Sequence, residues 1–222
     1  MLFEDYVWDF DGTLVDTYPH EFAVLWHLMK KHGIDKLNDP ELVYRQMRVA
    51  YLYIHSMPGM TEELFDEFTQ LRRSGPGRET EPRLTAFPDS SKVLEAVIKN
   101  GGRNFLCTHR ERDTLLWHLS DSGLERYFSD ILDADENFPF KPNPEGLLAL
   151  CARNSVNTGR AIMIGDRIID GQTGLNAGMT AALVNYPEFL PDGRSPAEDA
   201  SACGIKYIAN SLTELAETLE IL

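Results

Sequence analysis

Tyr6-Val7-Trp8-Asp9-Phe10-Asp11-Gly12-Thr13 is the stretch whose reading decides the fold. Its first half is aromatic or β-branched, which suits a strand covered on both faces, and it breaks abruptly on Asp-Gly. Residues 6–10 therefore read as a buried strand that delivers two carboxylates into a turn. Working outward, residues 103–108 (RNFLCT), 161–165 (AIMIG) and 181–184 (AALV) repeat the apolar pattern, with shorter runs at Ile131-Leu132 and at 206–208. Helical stripes fall between them. Val93, Leu94, Val97 and Ile98 share a face that stops at Gly101-Gly102, and Leu115, Leu116 and Leu119 form another closed by Gly123. Asn143-Pro144 opens a helix with Asn as its cap, and Ser211 with Glu214 makes a capping box for the last one. This alternation predicts an α/β chain with a doubly wound parallel sheet.

Residues 16–84 break the alternation. Phe22, Leu25, Trp26 and Met29 lie on one helical face, Asp39-Pro40 caps a second helix, and Thr61 starts a third that carries Leu64, Phe65 and Phe68. A polar Gly/Pro loop, SGPGRETEP, follows. The expected organisation is a core of residues 1–15 and 85–222, interrupted by an all-helical insertion of residues 16–84. The joining segments fall near residues 15–19 and 83–88.

Composition narrows the class of function. The 222 residues are 43% hydrophobic and 25% charged, enough for a buried core, and the formal net charge is −14. Such a surface repels nucleic acid and anionic lipid, so neither is expected as a partner. A small anionic substrate would need local positive charge from a lysine, an arginine, a helix N-terminus or a metal. Cys107, Cys151 and Cys203 form no CxxC pair, and each sits among apolar or small residues, so three buried thiols in a reducing, cytoplasmic setting are expected. No run approaches the length of a membrane span, and the acidic start of the chain does not resemble a signal peptide.

Four groups of polar residues fall at or just after predicted strand ends, the edge at which open α/β sheets bind ligands. Asp9 and Asp11 come first; alternation along a strand would put them on one side, where they repel unless a cation intervenes or one is protonated. Alone, they also read as a solvated Asp-Gly turn. Thr108 follows the second strand, as a hydroxyl for an anion or as a helix cap, with His109 and Arg110 behind it. Lys141 lies between Pro139 and Pro142, which restrict its backbone, so it is either a fixed cation or an exposed lysine in a rigid turn. Asp166 follows the strand AIMIG, and Asp170 is one helical turn further on, in the pocket or in a first helical turn that the dipole favours. Gly171, Gly174 and Gly178 read as packing or capping glycines.

DxDGT, a strand-end Thr, Lys-Pro and GDxxxD, in that order from Asp9 to Asp170, resemble the haloacid dehalogenase-like superfamily. The helical insertion is similar to the cap of the subgroup that includes phosphoglycolate phosphatases and β-phosphoglucomutases. The resemblance implies a Rossmann-like core and a phosphatase acting on a small phosphorylated metabolite, as a monomer or weak homodimer. It implies Asp9 as nucleophile, Asp11 as acid and base, and Mg²⁺ held by Asp9, the Asp11 carbonyl and Asp166. Thr108, His109 and Lys141 would hold the phosphoryl group, with Asp170 orienting Lys141 or metal-bound water. Arg45, Arg48 and Arg110 are the candidates for substrate selection. Asp11 argues against dehalogenase or phosphonatase chemistry, since relatives with those activities typically lack it. A β-phosphoglucomutase stays as the rival activity, although Asp16-Thr17-Tyr18-Pro19-His20-Glu21 brings the histidine one residue earlier than in those mutases. A catalytically idle binding module is the rival from another class, and the complete set of acidic residues speaks against it.

Overall fold

The computed structural model describes residues 1–49, 51–74, 84–186 and 197–222. The chain divides into two compact units, Met1–Val15 with Thr85–Leu222, and Asp16–Leu84. The first unit is built on a six-stranded parallel sheet of β1 (Asp5–Trp8), β4 (Arg103–Cys107), β5 (Phe128–Leu132), β6 (Ala161–Gly165), β7 (Thr180–Val184) and β8 (Tyr207–Ala209). The spatial order β5-β4-β1-β6-β7-β8 reverses direction at β1, which is hydrogen-bonded to β4 on one side and β6 on the other. A two-stranded sheet pairs β2 (Val15–Asp16) with β3 (Thr85–Ala86).

β1 forms where the sequence pattern placed it because Tyr6, Val7 and Trp8 have no solvent exposure, and only a strand covered on both faces buries successive side chains in this way. Trp8 keeps its indole N–H satisfied by donating to Asn104 Oδ1 at 2.9 Å. The amide of Asn104 in turn donates to the Leu94 carbonyl at 2.9 Å. This buried polar pair locks β1 to β4 in one register.

The helices of this unit are α4 (Ser90–Lys99), α5 (Arg112–Ser122), α6 (Glu145–Arg153), α7 (Ile168–Asn176), α8 (Ala197–Ala202) and α9 (Leu212–Thr218). Val7, Phe105, Leu132 and Met163 from the sheet pack with Leu147, Leu150 and Cys151 of α6 in one apolar cluster. Gly174 lets α7 approach β6, since a Cβ there would sit 2.4 Å from Met163 Cβ. Gly178 ends that helix at φ +78°, as a capping glycine does.

Two caps differ in detail from the sequence expectation. Asn143 Oδ1 accepts from the Glu145 N–H at 2.8 Å, so α6 starts one residue later than the cap placement implies. Ser211 does accept from Glu214 N–H, but Glu214 returns its bond to Asn210 N–H and not to Ser211. Cys203 is exposed just past the end of α8, which corrects the expectation of three buried thiols. Small neighbours gave it no apolar packing to sink into, whereas Cys107 and Cys151 sit in the sheet–helix core.

The second unit contains α1 (Tyr18–Lys31), α2 (Pro40–Val49) and α3 (Glu62–Ser74), and no strand lies between residues 17 and 74 among those described. Asp39 Oδ1 caps α2 through Glu41 N–H at 2.9 Å, and Thr61 Oγ1 caps α3 through Leu64 N–H at 3.3 Å. Leu25, Leu28, Met29, Met47, Ile54 and Phe68 close its own core. Lys31 and His32 both pair with Glu67, joining α1 to α3 at the surface. Residues 75–82 of the Gly/Pro loop lie outside the described residues.

Candidate active site

The carboxyl edge of the six-stranded sheet gathers five of the residues singled out from the sequence. Asp9 follows β1 and continues its ladder, since its N–H donates to the Ile164 carbonyl at 2.8 Å. The backbone then turns sharply: the Phe10 carbonyl accepts from Thr13, Leu14 and Val15, and Gly12 sits at φ +77°, where a side chain would be strained. Thr108 follows β4, its N–H donating to the Leu132 carbonyl at 3.0 Å. Gly165 closes β6 because a Cβ there would lie 2.2 Å from Asp170 Cβ. The absent side chain lets Asp170 fold back from α7 over the strand end.

Lys141 is the hub. Its ammonium donates at 2.7 Å to Asp9 Oδ1 and at 2.7 Å to Asp170 Oδ1, and all three side chains are buried. Asp170 Oδ2 accepts from the Arg167 N–H at 3.1 Å, so both its oxygens are engaged. One oxygen each from Asp9, Asp166 and Asp170 lie within 4.8 Å of one another. Asp9 Oδ2 is buried with no hydrogen-bond partner among the described residues. Hard carboxylate oxygens in negative excess over one ammonium, with one oxygen unsatisfied, are a donor set that fits a divalent cation such as Mg²⁺.

The electrostatics follow from burial and crowding. Burial pushes the Asp9 carboxyl up to about 7, against the pull of Lys141 and with the push of Asp170 and Asp166. For Asp170, burial also acts upward, but Lys141 and Arg167 outweigh it and the net shift is down. Burial alone would lower the Lys141 ammonium, yet Asp170 and Asp9 raise it overall, so it stays charged. Replacing Lys141 by methionine removes the ammonium that the two buried carboxylates Asp9 and Asp170 share. Breaking such a pair costs about 3–5 kcal/mol, or roughly 10 °C in melting temperature for a chain of this size. Thermal unfolding of Lys141→Met by circular dichroism checks this, and a melting point within a degree or two of wild type contradicts it.

His109 and Arg110 stand differently from the others. His109 Nε2 accepts the Lys141 backbone N–H at 2.9 Å, and its ring lies edge-on to Phe140. Burial, followed by Lys141 and Arg167, lowers its pKa to about 4, so the neutral ring brings no positive charge to an anion. Arg110, 7% exposed, forks onto Asp11: Nε donates to the two carboxylate oxygens at 3.0 and 3.1 Å and Nη2 to Oδ1. β1 ends at Trp8, so strand alternation does not carry through to residue 11. Sequence reasoning missed this pairing. Its only local signal was an arginine two residues past a strand-end threonine. On α2, Arg45 donates to Glu41 at 2.8 Å at the surface, and the Arg48 side chain lies outside the described residues. No described helix is long and apolar enough to cross a membrane.

The sheet order, the inserted helical unit and this acidic edge define a hydrolase fold, and the comparisons specify which. The family model for haloacid dehalogenase-like hydrolases matches residues 6–184, and the chain belongs to that family. Among curated relatives it is similar to a phosphoglycolate phosphatase of Vibrio parahaemolyticus, 24% identical over 96% of this chain and 94% of the relative. It is also similar to pyrophosphatase PpaX of Bacillus velezensis, 24% identical over 81% of this chain and 82% of the relative. Among solved structures, a hydrolase from Streptococcus pneumoniae TIGR4 is 30% identical with a TM-score of 0.59, covering 82% of this chain and 92% of that one.

Proposed function

We propose that the chain hydrolyses small phosphate monoesters through an aspartyl-phosphate formed on Asp9. The observation that carries this reading is Asp9 itself: a buried carboxylate at the end of the central strand, with Oδ1 on Lys141 and Oδ2 without a hydrogen-bond partner among the described residues. The phosphatase names of the family relatives support it. Asp9 attacks phosphorus, the bond from phosphorus to the ester oxygen breaks, and Asp11 gives that oxygen a proton. Water then attacks the phosphorus of the aspartyl-phosphate, Asp11 takes its proton, and Asp9 is released as the carboxylate with inorganic phosphate. Thr108 and Lys141 hold phosphoryl oxygens, and Lys141 screens Asp9 from the incoming anion.

Asp9, Asp166 and the Asp11 carbonyl would hold Mg²⁺, which when bound offsets the charge gathered on the phosphoryl oxygens. Asp170, with both oxygens already engaged, orients Lys141. His109 serves this site through the Lys141 backbone, without contributing charge. The helical unit of residues 16–84 is, on this reading, the cap that selects the leaving group.

The test is rapid acid quench during turnover of a phosphate-ester panel with Mg²⁺, followed by peptide mass spectrometry. The expected result is one added phosphoryl group on the peptide that carries Asp9, together with released phosphate. Phosphate release with the group on another residue would overturn the assignment. Transfer to a second hydroxyl of the substrate, in place of release, would indicate the mutase.

A further inference from the structure

The Asp11 carbonyl is a backbone group, so the turn of residues 10–15 fixes its place and no side-chain rotamer can adjust it. Inside the turn, the Phe10 carbonyl accepts from Thr13, Leu14 and Val15, and the Gly12 N–H donates to the Val15 carbonyl at 2.9 Å. Two further clamps come from elsewhere in the same unit. The Leu14 carbonyl accepts from the Phe87 N–H at 2.9 Å and from Ser90 Oγ at 2.8 Å. The Thr13 carbonyl accepts from the hydroxyl of Tyr186 at 3.0 Å, across 173 positions of sequence. Tyr186 lies just past the end of β7, so this bond ties the turn to the sheet. Its ring lies flat on Phe87, with centroids 4.0 Å apart and planes at 14°. The residue that clamps Leu14 therefore also aims the phenol at Thr13. Thr13, Leu14, Phe87 and Tyr186 are all buried.

Thr13 also faces the acidic edge, since its hydroxyl donates to Asp166 Oδ1 at 3.5 Å. One buried residue thus meets Asp166 through its side chain and Tyr186 through its carbonyl. We propose that Tyr186 is a positioning residue for the cation site: acting through Thr13, it fixes where the Asp11 carbonyl stands against Asp166. The inference rests on the proposed reading in which those two groups, with Asp9, hold Mg²⁺. Without the phenol hydroxyl, the buried Thr13 carbonyl loses this donor, and the turn must shift or open to satisfy it. A shift of the turn displaces a backbone ligand that has no rotamer with which to recover. Phenylalanine at position 186 keeps the ring on Phe87, so Tyr186→Phe separates the hydroxyl from the ring packing.

The experiment has two arms, both on the full chain and neither needing a substrate. Hydrogen exchange of the metal-free protein, read by mass spectrometry, follows the peptide that contains residues 12–15. In Tyr186→Phe that peptide is expected to exchange about 5- to 10-fold faster, the range of one lost hydrogen bond, with β6 unchanged. Calorimetric titration with Mg²⁺ should show Kd raised about tenfold, as when a group that orients a metal ligand is lost. Where phosphate release is measurable, half-saturation by Mg²⁺ should rise by the same factor, with the substrate KM at saturating Mg²⁺ unchanged. Ser90→Ala is the comparison: the Leu14 carbonyl keeps the Phe87 N–H, so exchange and Mg²⁺ affinity should stay near wild type. Equal effects of the two variants would make Tyr186 one packing contact among several and overturn the proposal. A merely structural role would lower the melting temperature of Tyr186→Phe and leave the Mg²⁺ affinity as it was. That outcome overturns the proposal too, as does unchanged exchange at residues 12–15. A wild type that binds no Mg²⁺ overturns the metal reading and this assignment with it, whereas Mg²⁺ binding indifferent to Tyr186 overturns this assignment alone.

Discussion

Asparagine in place of Asp9 is expected to lower phosphate release by about four orders of magnitude, ~5.5 kcal/mol of barrier, with the fold retained. The amide matches the carboxylate in volume, so the buried position keeps its packing, and its oxygen still accepts from the Lys141 ammonium in place of Oδ1. What disappears is the anionic lone pair that attacks phosphorus in the proposed reaction. Stability should not suffer in metal-free buffer. Burial raises the Asp9 pKa from 3.8 to about 7, so the charged form is less favoured in the folded chain than in the unfolded one. For an acid shifted upward, this penalty is absent below pH 3.8, grows as pH rises, and is complete above about 7. The neutral amide removes it and leaves Lys141 matched with Asp170. Melting curves in a chelator at pH 8 should therefore place Asp9→Asn at or above wild type. Near-wild-type phosphatase activity from the folded variant would sink the assignment of the nucleophile.

Exhaustive chelation is expected to abolish activity, Mg²⁺ to restore it, and Ca²⁺ to fail or inhibit. The acidic oxygens gathered at the strand ends carry more negative charge than Lys141 balances, and Asp9 Oδ2 lacks a hydrogen-bond partner among the described residues. The smaller ion demands tight octahedral geometry; the larger accepts more ligands at longer distances and so misplaces the attacking oxygen. Binding also has a readout that needs no substrate. A ligand at about 100 times its Kd stabilises the folded state by ~2.7 kcal/mol. That corresponds to roughly 5–10 °C in melting temperature for a chain of this length. Asp166→Asn should erase the shift, since one of the anionic oxygens of the site is gone. Full turnover after complete chelation would rule out a metal at this edge.

Much of the sheet was legible because β1, β4, β6 and β7 carry short, largely apolar runs that announce themselves locally, whereas Ser129 and Asp130 interrupt β5. Asp166 stood out for the same reason, since it follows Gly165 at a predicted strand end, and Lys141 stood out because Pro139 and Pro142 flank it. What was illegible depends on pairing across the chain. The Arg110–Asp11 fork joins residues 99 apart in sequence, and it exists because β4 lies directly beside β1. Nothing in the periodicity of either segment states that adjacency. Asn104, buried beneath Trp8, reads from sequence as a polar interruption of a strand; its use appears only when its two amide donors find the Leu94 and Tyr127 carbonyls. His109 is similar: a neutral strut to Lys141 and a charged phosphate ligand look alike until the acceptor nitrogen is seen to be occupied.

The central place of β1 also bears on how the chain comes to be made. Residues 5–8 leave the ribosome before their two hydrogen-bonding partners, residues 103–106 on one side and 161–164 on the other. At about 5–20 residues per second of synthesis, Trp8 waits roughly 8–30 s for the second of them. Helices α1 to α3 close over contacts within residues 16–84 and can begin to form in that interval, because local contacts need no distant loop closure. Tyr6, Val7 and Trp8, fully buried at the end, have no native neighbours at the start. During translation β1 is thus the strand of the sheet on which chaperones and stray strand edges have the longest time to act.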